Sequence, residues 1–422
     1  MRTIHQGWKI FISFKLPKPI NMNNLKHLLL FSILCSIASL TNCRNNGDLI
    51  IDSDNDGIMD MDDFCIDTPI GEIADNTGCS NSQKDTDEDG ITDDLDTCIG
   101  TPENTQVNTF GCAQDSIFID NTYSNPVTEL SLPDPTIIKA DNGNFYLYAT
   151  ENIRNAPILE STDLVNWELL GTAFTEQNRP SFLPDGSIWA PDINFINGQY
   201  VLYYALAIWG DEWTCGIGAA TSDNPTGPFS DKGKLFQSNE IDVQNSIDPF
   251  YIEENGKKYL FWGSFRGIYG HELSEDGLSL KQNAEKFQIA GTAYEATYIY
   301  KKGQYYYLFC AWGSCCEGAN SNYQTVVGRS ESLFGPYLNK NGESMSDNKH
   351  EIIIHGNDHF VGTGHNAEII SDNEGKTWML YHAFDLNDPT ARVLMLDEIQ
   401  WENNWPFVEG NSPNLSWIKP SL

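Results

Sequence analysis

Five times between residues 134 and 384 the chain repeats one phrase: a polar start, an apolar strand, a glycine turn and an aromatic strand. The copies are DPTIIKADNGNFYLYAT (134–150), APDINFINGQYVLYYA (190–205), DPFYIEENGKKYLFWGS (248–264), EATYIYKKGQYYYLFCAWGS (295–314) and HNAEIISDNEGKTWMLYHAF (365–384). Their turn glycines are Gly143, Gly198, Gly256, Gly303 and Gly375. Each copy reads as a β-hairpin too small to bury its own core, and repeats of this size stack radially as propeller blades. From residue 117 onward the aromatics recur at period two between turn signals, with hardly any amphipathic helical pattern. The expectation is an all-β, five-bladed β-propeller over 117–422. Asp134, Asp248, Glu295 and His365 stand where four of the five inner strands begin. A propeller would aim all four at one central cavity.

In Leu-Pro-Asp134-Pro and Ser-Ile-Asp248-Pro the following proline bars helical geometry at the aspartate and removes a ladder donor. One Asp-Pro by itself merely starts a strand. Two at equivalent places, with Glu295 at a third, point to function. Asp192 follows its proline instead, so it reads as scaffold or support. Separate carboxyls converging on a cleft are the equipment of glycoside hydrolysis, one acid protonating the leaving oxygen and one base activating water. Trp189, Trp209, Trp262 and Trp312 lie near these positions. Most propeller aromatics are core; Trp189 and Trp209, flanking the second hairpin, are the candidates for stacking on sugar.

The formal charge of −34 argues against nucleic acid or anionic membrane as partners. Residues 47–113 carry 18 Asp and Glu against the single Lys84. Here a 33-residue unit occurs twice: Asp52, Asp54, Asp56, Gly57, Asp63, Cys65 and Cys79 recur as Asp85, Asp87, Asp89, Gly90, Asp96, Cys98 and Cys112. Carboxylates on alternate residues before a glycine bend, with a further acid at loop position twelve, are calcium chemistry. No flanking helices are visible, and position twelve is Asp, so this is no EF-hand. An acidic disordered linker and a docking module are the other readings. Upstream, the apolar run 28–40 is too short to span a bilayer and reads as a signal-peptide core, with Met22 an alternative start. Leu40-Thr41-Asn42-Cys43 is similar to a bacterial lipobox, which would make Cys43 the lipidated first residue of an exported protein; cleavage and free secretion is the alternative.

The acidic units resemble thrombospondin type 3 repeats, which implies calcium ligation by the aspartates and disulfides Cys65–Cys79 and Cys98–Cys112 in a spacer over 48–115. PDPTI, WAPDINFINGQYVLYYA, SIDPF, YEATYIYKKGQYYYLF and GTGHN resemble glycoside hydrolase family 43 across about 125–410. Segments 313–337 and 392–408 are similar to the α-L-arabinanases of that family. The resemblance implies an inverting mechanism, with Asp134 as general base, Glu295 as general acid and Asp248 orienting the acid and raising its pKa. Its two working carboxyls would stand roughly 6.5–9.5 Å apart to admit a water. It also implies that His365 helps hold an ion, usually calcium, at the propeller axis with waters. The expected substrate is α-1,5-linked arabinan, cut endo by a monomer. Arabinofuranosidase, β-xylosidase or β-1,3-galactosidase activity is the alternative within the family, and a non-catalytic surface glycan binder is the alternative outside it. Cys315 and Cys316 are either a vicinal disulfide or two thiols, and Cys215 and Cys310 read as buried thiols.

Overall fold

A computed structural model describes residues 51–98, 100–101, 105, 107–108, 110–112 and 121–422. The apolar run, Met22 and Cys43 lie outside the described residues. The chain divides into two compact units, one up to residue 117 and one from 118 onward.

In the first unit the described residues are turns and bends around two disulfides, Cys65–Cys79 and Cys98–Cys112. The two repeats make the same bonds. The amides of Gly57 and Gly90 donate to Asp52 and Asp85, and those of Thr68 and Thr101 donate to Asp54 and Asp87.

The second unit is all β, starting with β1 (Thr122–Ser124). Five antiparallel meanders follow in chain order. The first is β2 (Thr136–Lys139), β3 (Phe145–Tyr148), β4 (Pro157–Ser161) and β5 (Glu168–Thr172). The second is β6 (Ser187–Ile196), β7 (Gln199–Ile208), β8 (Asp211–Ser222) and β9 (Ser230–Gln237). The third is β10 (Phe250–Glu254), β11 (Lys257–Trp262), β12 (Ile268–Glu272) and β13 (Phe287–Ala290). The fourth is β14 (Tyr294–Lys302), β15 (Tyr305–Trp312), β16 (Gln324–Ser330) and β17 (Glu351–Ile354). The fifth is β18 (Phe360–Gly364), β19 (Ile370–Ser371), β20 (Thr377–Asp385), β21 (Asp388–Glu402) and β22 (Trp405–Phe407), bridged to the fourth through Gln324 and Thr363. Last, β23 (Ser416–Ile418) pairs with β1.

The expected hairpin turns are present. At Asn197-Gly198 and Asn255-Gly256 both residues have positive φ, as a two-residue turn matching the strand twist requires.

Alternate side chains of the second strands go to opposite neighbours. On β3, Phe145 and Leu147 join a core shared with the fifth meander, while Tyr146 and Tyr148 join one shared with the second. On β7, Leu202 and Tyr204 face the first meander and Val201 and Tyr203 the third. The same alternation on β11 and β20 continues the packing through the third, fourth and fifth sheets and back to the first. The sheets therefore pack in a cycle. Each is buried on both faces, so its second strand reads as a continuous apolar run rather than an apolar–polar alternation. The leader into the first meander seals the cycle along β21, through Val127 N to Leu394 O (2.9 Å) and Leu132 N to Arg392 O (2.9 Å).

Candidate active site

One left-handed bend recurs in each meander: at Asp134 and Asp248, two residues ahead of β2 and β10, at Ala190 and Ala296 within β6 and β14, and at His365 just after β18, with φ of 54°, 57°, 39°, 57° and 50°. Such a conformation costs an L-residue about 1–2 kcal/mol, so packing and hydrogen bonds must hold it. Asp134, Asp248 and His365 occupy the bend itself, as their sequence pattern suggests. Glu295 does not. In the fourth meander Ala296 takes the bend, and Glu295 precedes it by one residue, approaching the cleft from a different backbone position.

All four side chains line one cavity of about 520 Å³, together with Trp189, Trp209, Glu151, Glu212, Arg392 and the Cys315–Cys316 pair. Trp209 sits at the tip between β7 and β8, 75% exposed, with its ring centroid 6.1 Å from that of Trp189. A largely bare indole on a cleft wall suits a sugar face. Trp262 is core, packed on Phe236. Trp312 is only partly buried and lies beside His350. Cys315 and Cys316 are disulfide-bonded, and Cys215 and Cys310 are buried free thiols.

Asp134 is surrounded by donors. Thr150 Oγ1 donates to Oδ2 at 2.6 Å, Arg392 Nη1 to Oδ1 at 3.0 Å, and His365 Nδ1 lies 3.3 Å from Oδ1. Its own amide donates to Nδ1 of the buried His382, 3.1 Å away. Burial opposes the charge, but the Arg392 guanidinium and then His365 outweigh it and hold the carboxyl well below the usual carboxylate range. His365 is raised in return: burial lowers it, and Asp134 more than compensates. His382 is held well below an ordinary histidine by burial and by Arg392, so its ring is neutral.

Glu295 is in the opposite state. It accepts from Tyr323 OH and from Ser264 Oγ, both at 2.6 Å. Those bonds favour its charged form, yet burial outweighs them and raises the carboxyl. Asp248 Oδ2 accepts from the amide of Ala296 at 3.0 Å and so grips the residue beside Glu295. Burial, with the nearby charges of Glu295 and Asp134 adding to it against His365, pushes Asp248 up to about 7. Asp134 is thus ready to accept a proton, and Glu295 and Asp248 are ready to hold one. Two carboxyls with pKa values driven apart in one cleft are an acid–base pair.

Around His365 the described residues supply no group of three His, Cys or acidic ligand atoms, and its Nδ1 faces Asp134. An ion there would have to take its other donors from water or backbone oxygens. What His365 visibly does is hold the charge on Asp134. The acidic repeats are different. Asp52, Asp54 and Asp56 form one cluster and Asp85, Asp87 and Asp89 another, ligand atoms within 4.8 Å of one another. Asp63 and Asp96 fall outside these triplets, over Gly78 and Gly111. A Cβ on Gly111 would lie 1.9 Å from Asp96 Oδ1 and 3.1 Å from Asp89 Oδ2, so the two acids meet there.

Arg392, His382, Tyr323, Ser264 and Thr150 escape the sequence reading. The one available signal was Arg392, a cation opening the apolar run of β21.

A carboxyl raised by burial beside one held ionised, in a cleft walled by exposed indole, fits a glycosidase. The chain belongs to the glycosyl hydrolases family 43, whose sequence profile matches residues 123–406. An extracellular exo-α-(1→5)-L-arabinofuranosidase of Cellvibrio japonicus is 33% identical over 310 residues, 67% of this chain and 87% of the relative. An extracellular endo-α-(1→5)-L-arabinanase of Bacillus subtilis is 34% identical over 289 residues, covering 65% and 87%. The structure of a Cellvibrio cellulosa α-L-arabinanase complexed with arabinohexaose superposes with a TM-score of 0.62 at 30% identity, over 67% of this chain and 97% of that one.

Proposed function

We propose that this protein is an exported five-bladed propeller hydrolase that cuts α-1,5-linked L-arabinofuranosyl chains with inversion. The observation that carries the reading is the opposed state of Asp134 and Glu295 within one cleft. Cyclic packing of five meanders supports the propeller, and the arabinan-directed relatives support the substrate.

In the reaction, ionised Asp134 removes a proton from water as the water oxygen bonds to the anomeric carbon. Glu295 delivers its proton to the departing glycosidic oxygen as that bond breaks. Asp248 fixes the backbone beside Glu295, and Arg392 and Thr150 aim the base. The sum is addition of one water across one glycosidic bond, with attack from the face opposite the leaving group.

A time course on linear arabinan, with product configuration followed by NMR, tests substrate and cutting mode together. The expected result is inverted product and a ladder of intermediate oligosaccharides. A single sugar from the outset would mark an exo enzyme. If linear arabinan is untouched while a xyloside is cleaved, the substrate assignment is wrong.

The acidic repeats fit calcium as a spacer stiffened by ions. Asp56 Oδ2, Asp87 Oδ1 and Asp89 Oδ2 are shielded from solvent without a hydrogen-bond partner, and hard oxygen clusters of this kind suit calcium. Burial and the neighbouring carboxylates Asp87, Asp96 and Asp85 raise Asp89, a conflict a divalent cation would relieve. Excess EGTA should lower the melting temperature of this unit, with recovery on calcium but not magnesium; an unchanged melt would refute calcium binding. Export through the 28–40 run, with Cys43 carrying lipid, completes the reading.

A further inference from the structure

Close to the cleft two more carboxyls meet. Asp192 on β6 is buried, Glu368 between β18 and β19 is partly buried, and the two are hydrogen-bonded to each other. The first strands of adjacent meanders share no ladder. The pair ties them by other means. Glu368 accepts from Thr136 Oγ1 at 2.8 Å and from the Ile137 amide at 2.5 Å on β2. Thr136 Oγ1 in turn accepts from the Ile193 amide of β6 at 3.1 Å. Asp192 Oδ2 accepts from the Tyr251 amide of β10 and from Asn194 Nδ2, each at 2.8 Å. Beside Glu368, the Ile369 amide donates to Tyr298 OH of β14 at 2.9 Å.

These contacts fall two to four residues beyond the side chains that face the cleft. Thr136 and Ile137 follow Asp134, Tyr251 follows Asp248, Tyr298 follows Glu295, and Glu368 and Ile369 follow His365. Among the described residues no cation is bonded to either carboxyl, so two charges cannot persist there, and one proton is shared. Burial and the Glu368 charge raise Asp192, which makes it the donor.

The geometry points to Asp192 and Glu368 as a positioning pair, an acid bonded to a carboxylate, that sets the spacing of the strand starts carrying Asp134, Asp248 and Glu295. The inference rests on the reading of Asp134 as base and Glu295 as acid. Neither member of the pair lines the cavity. Its loss should therefore misplace reacting groups rather than remove a binding contact, and misplacement by about 1 Å can cost up to about a hundredfold in rate.

The test is steady-state kinetics on linear arabinan with Asp192→Ala, Asp192→Asn and Thr136→Val. Asp192→Ala, folded by near-UV circular dichroism, should lose about tenfold or more in kcat with KM within about twofold. Asp192→Asn should recover most of that loss, because its amide donates to Glu368 while its carbonyl accepts from Tyr251. A folded Asp192→Ala with wild-type kcat, or an Asn variant no better than Ala, overturns the pair. If Asp192→Ala does not fold, Thr136→Val decides: it removes the hydroxyl between Glu368 and Ile193 at near-constant volume, and wild-type kcat there overturns the proposal. Inert wild-type enzyme on arabinan would instead sink the substrate reading, a separate outcome.

Discussion

Glu295→Gln lowers kcat on linear arabinan by about a thousandfold, the middle of the range for a lost general acid. The amide keeps the shape of the carboxyl but has no proton to give. The variant stays folded, since one of the two hydroxyls, Tyr323 OH or Ser264 Oγ, still donates to the amide oxygen while the other turns its hydrogen away and accepts from the amide nitrogen. Substrate dependence separates this from a general loss of structure. An aryl arabinofuranoside, whose leaving group departs without protonation, suffers far less than arabinan. The pH profile changes with it. Burial raises Glu295 in the folded protein, so wild-type activity is present while the carboxyl is protonated and is lost as pH rises through its pKa. That alkaline limb should disappear in the Gln variant. Equal losses on arabinan and on the aryl glycoside would remove Glu295 from the acid role.

Asp134→Asn costs about as much, roughly a thousandfold, but without relief from a good leaving group, because water activation fails whatever departs. The substitution also removes the charge that Arg392 and His365 surround, leaving Arg392 without its counter-ion in a restricted site. The wild-type acid limb should lie below the usual carboxylate range, since that cluster holds Asp134 ionised and activity fades only as the pH falls through its lowered pKa. Kinetics on arabinan and on the aryl glycoside from about pH 3 upward check both points, the sampling window being set against an ordinary Asp pKa of about 3.9. A leaving-group rescue of Asp134→Asn would exchange the proposed roles of the two residues.

Part of this site is legible along the chain because the bend that presents each side chain is local. Asp-Pro at 134 and 248 writes the start of a strand into two adjacent residues, and GTGHN marks the bend at His365 as β18 ends. Glu295 shows the limit. Its phrase resembles the others, yet the bend falls on Ala296, because register within the fourth sheet is fixed by pairing with β15 and not by the phrase itself. Arg392 lies 258 residues from Asp134 and reaches it only because β21 packs beside the leader into the first meander. His382 sits inside the fifth copy, indistinguishable there from a core residue. Asp192 reads as scaffold, and nothing in sequence announces its bond to Glu368.

The chain's repetition by itself determines an all-β unit of five hairpins, because alternation, turn glycines and hairpin length are properties of neighbouring residues. It also marks which strand starts carry acids. Only the tertiary structure decides what those acids are. Closing five sheets into a cycle brings Arg392 and two histidines onto Asp134 and buries Glu295 between Ser264 and Tyr323. A carboxyl's charge is set by burial and by its neighbours across space, and those neighbours come from the first, third, fourth and fifth meanders.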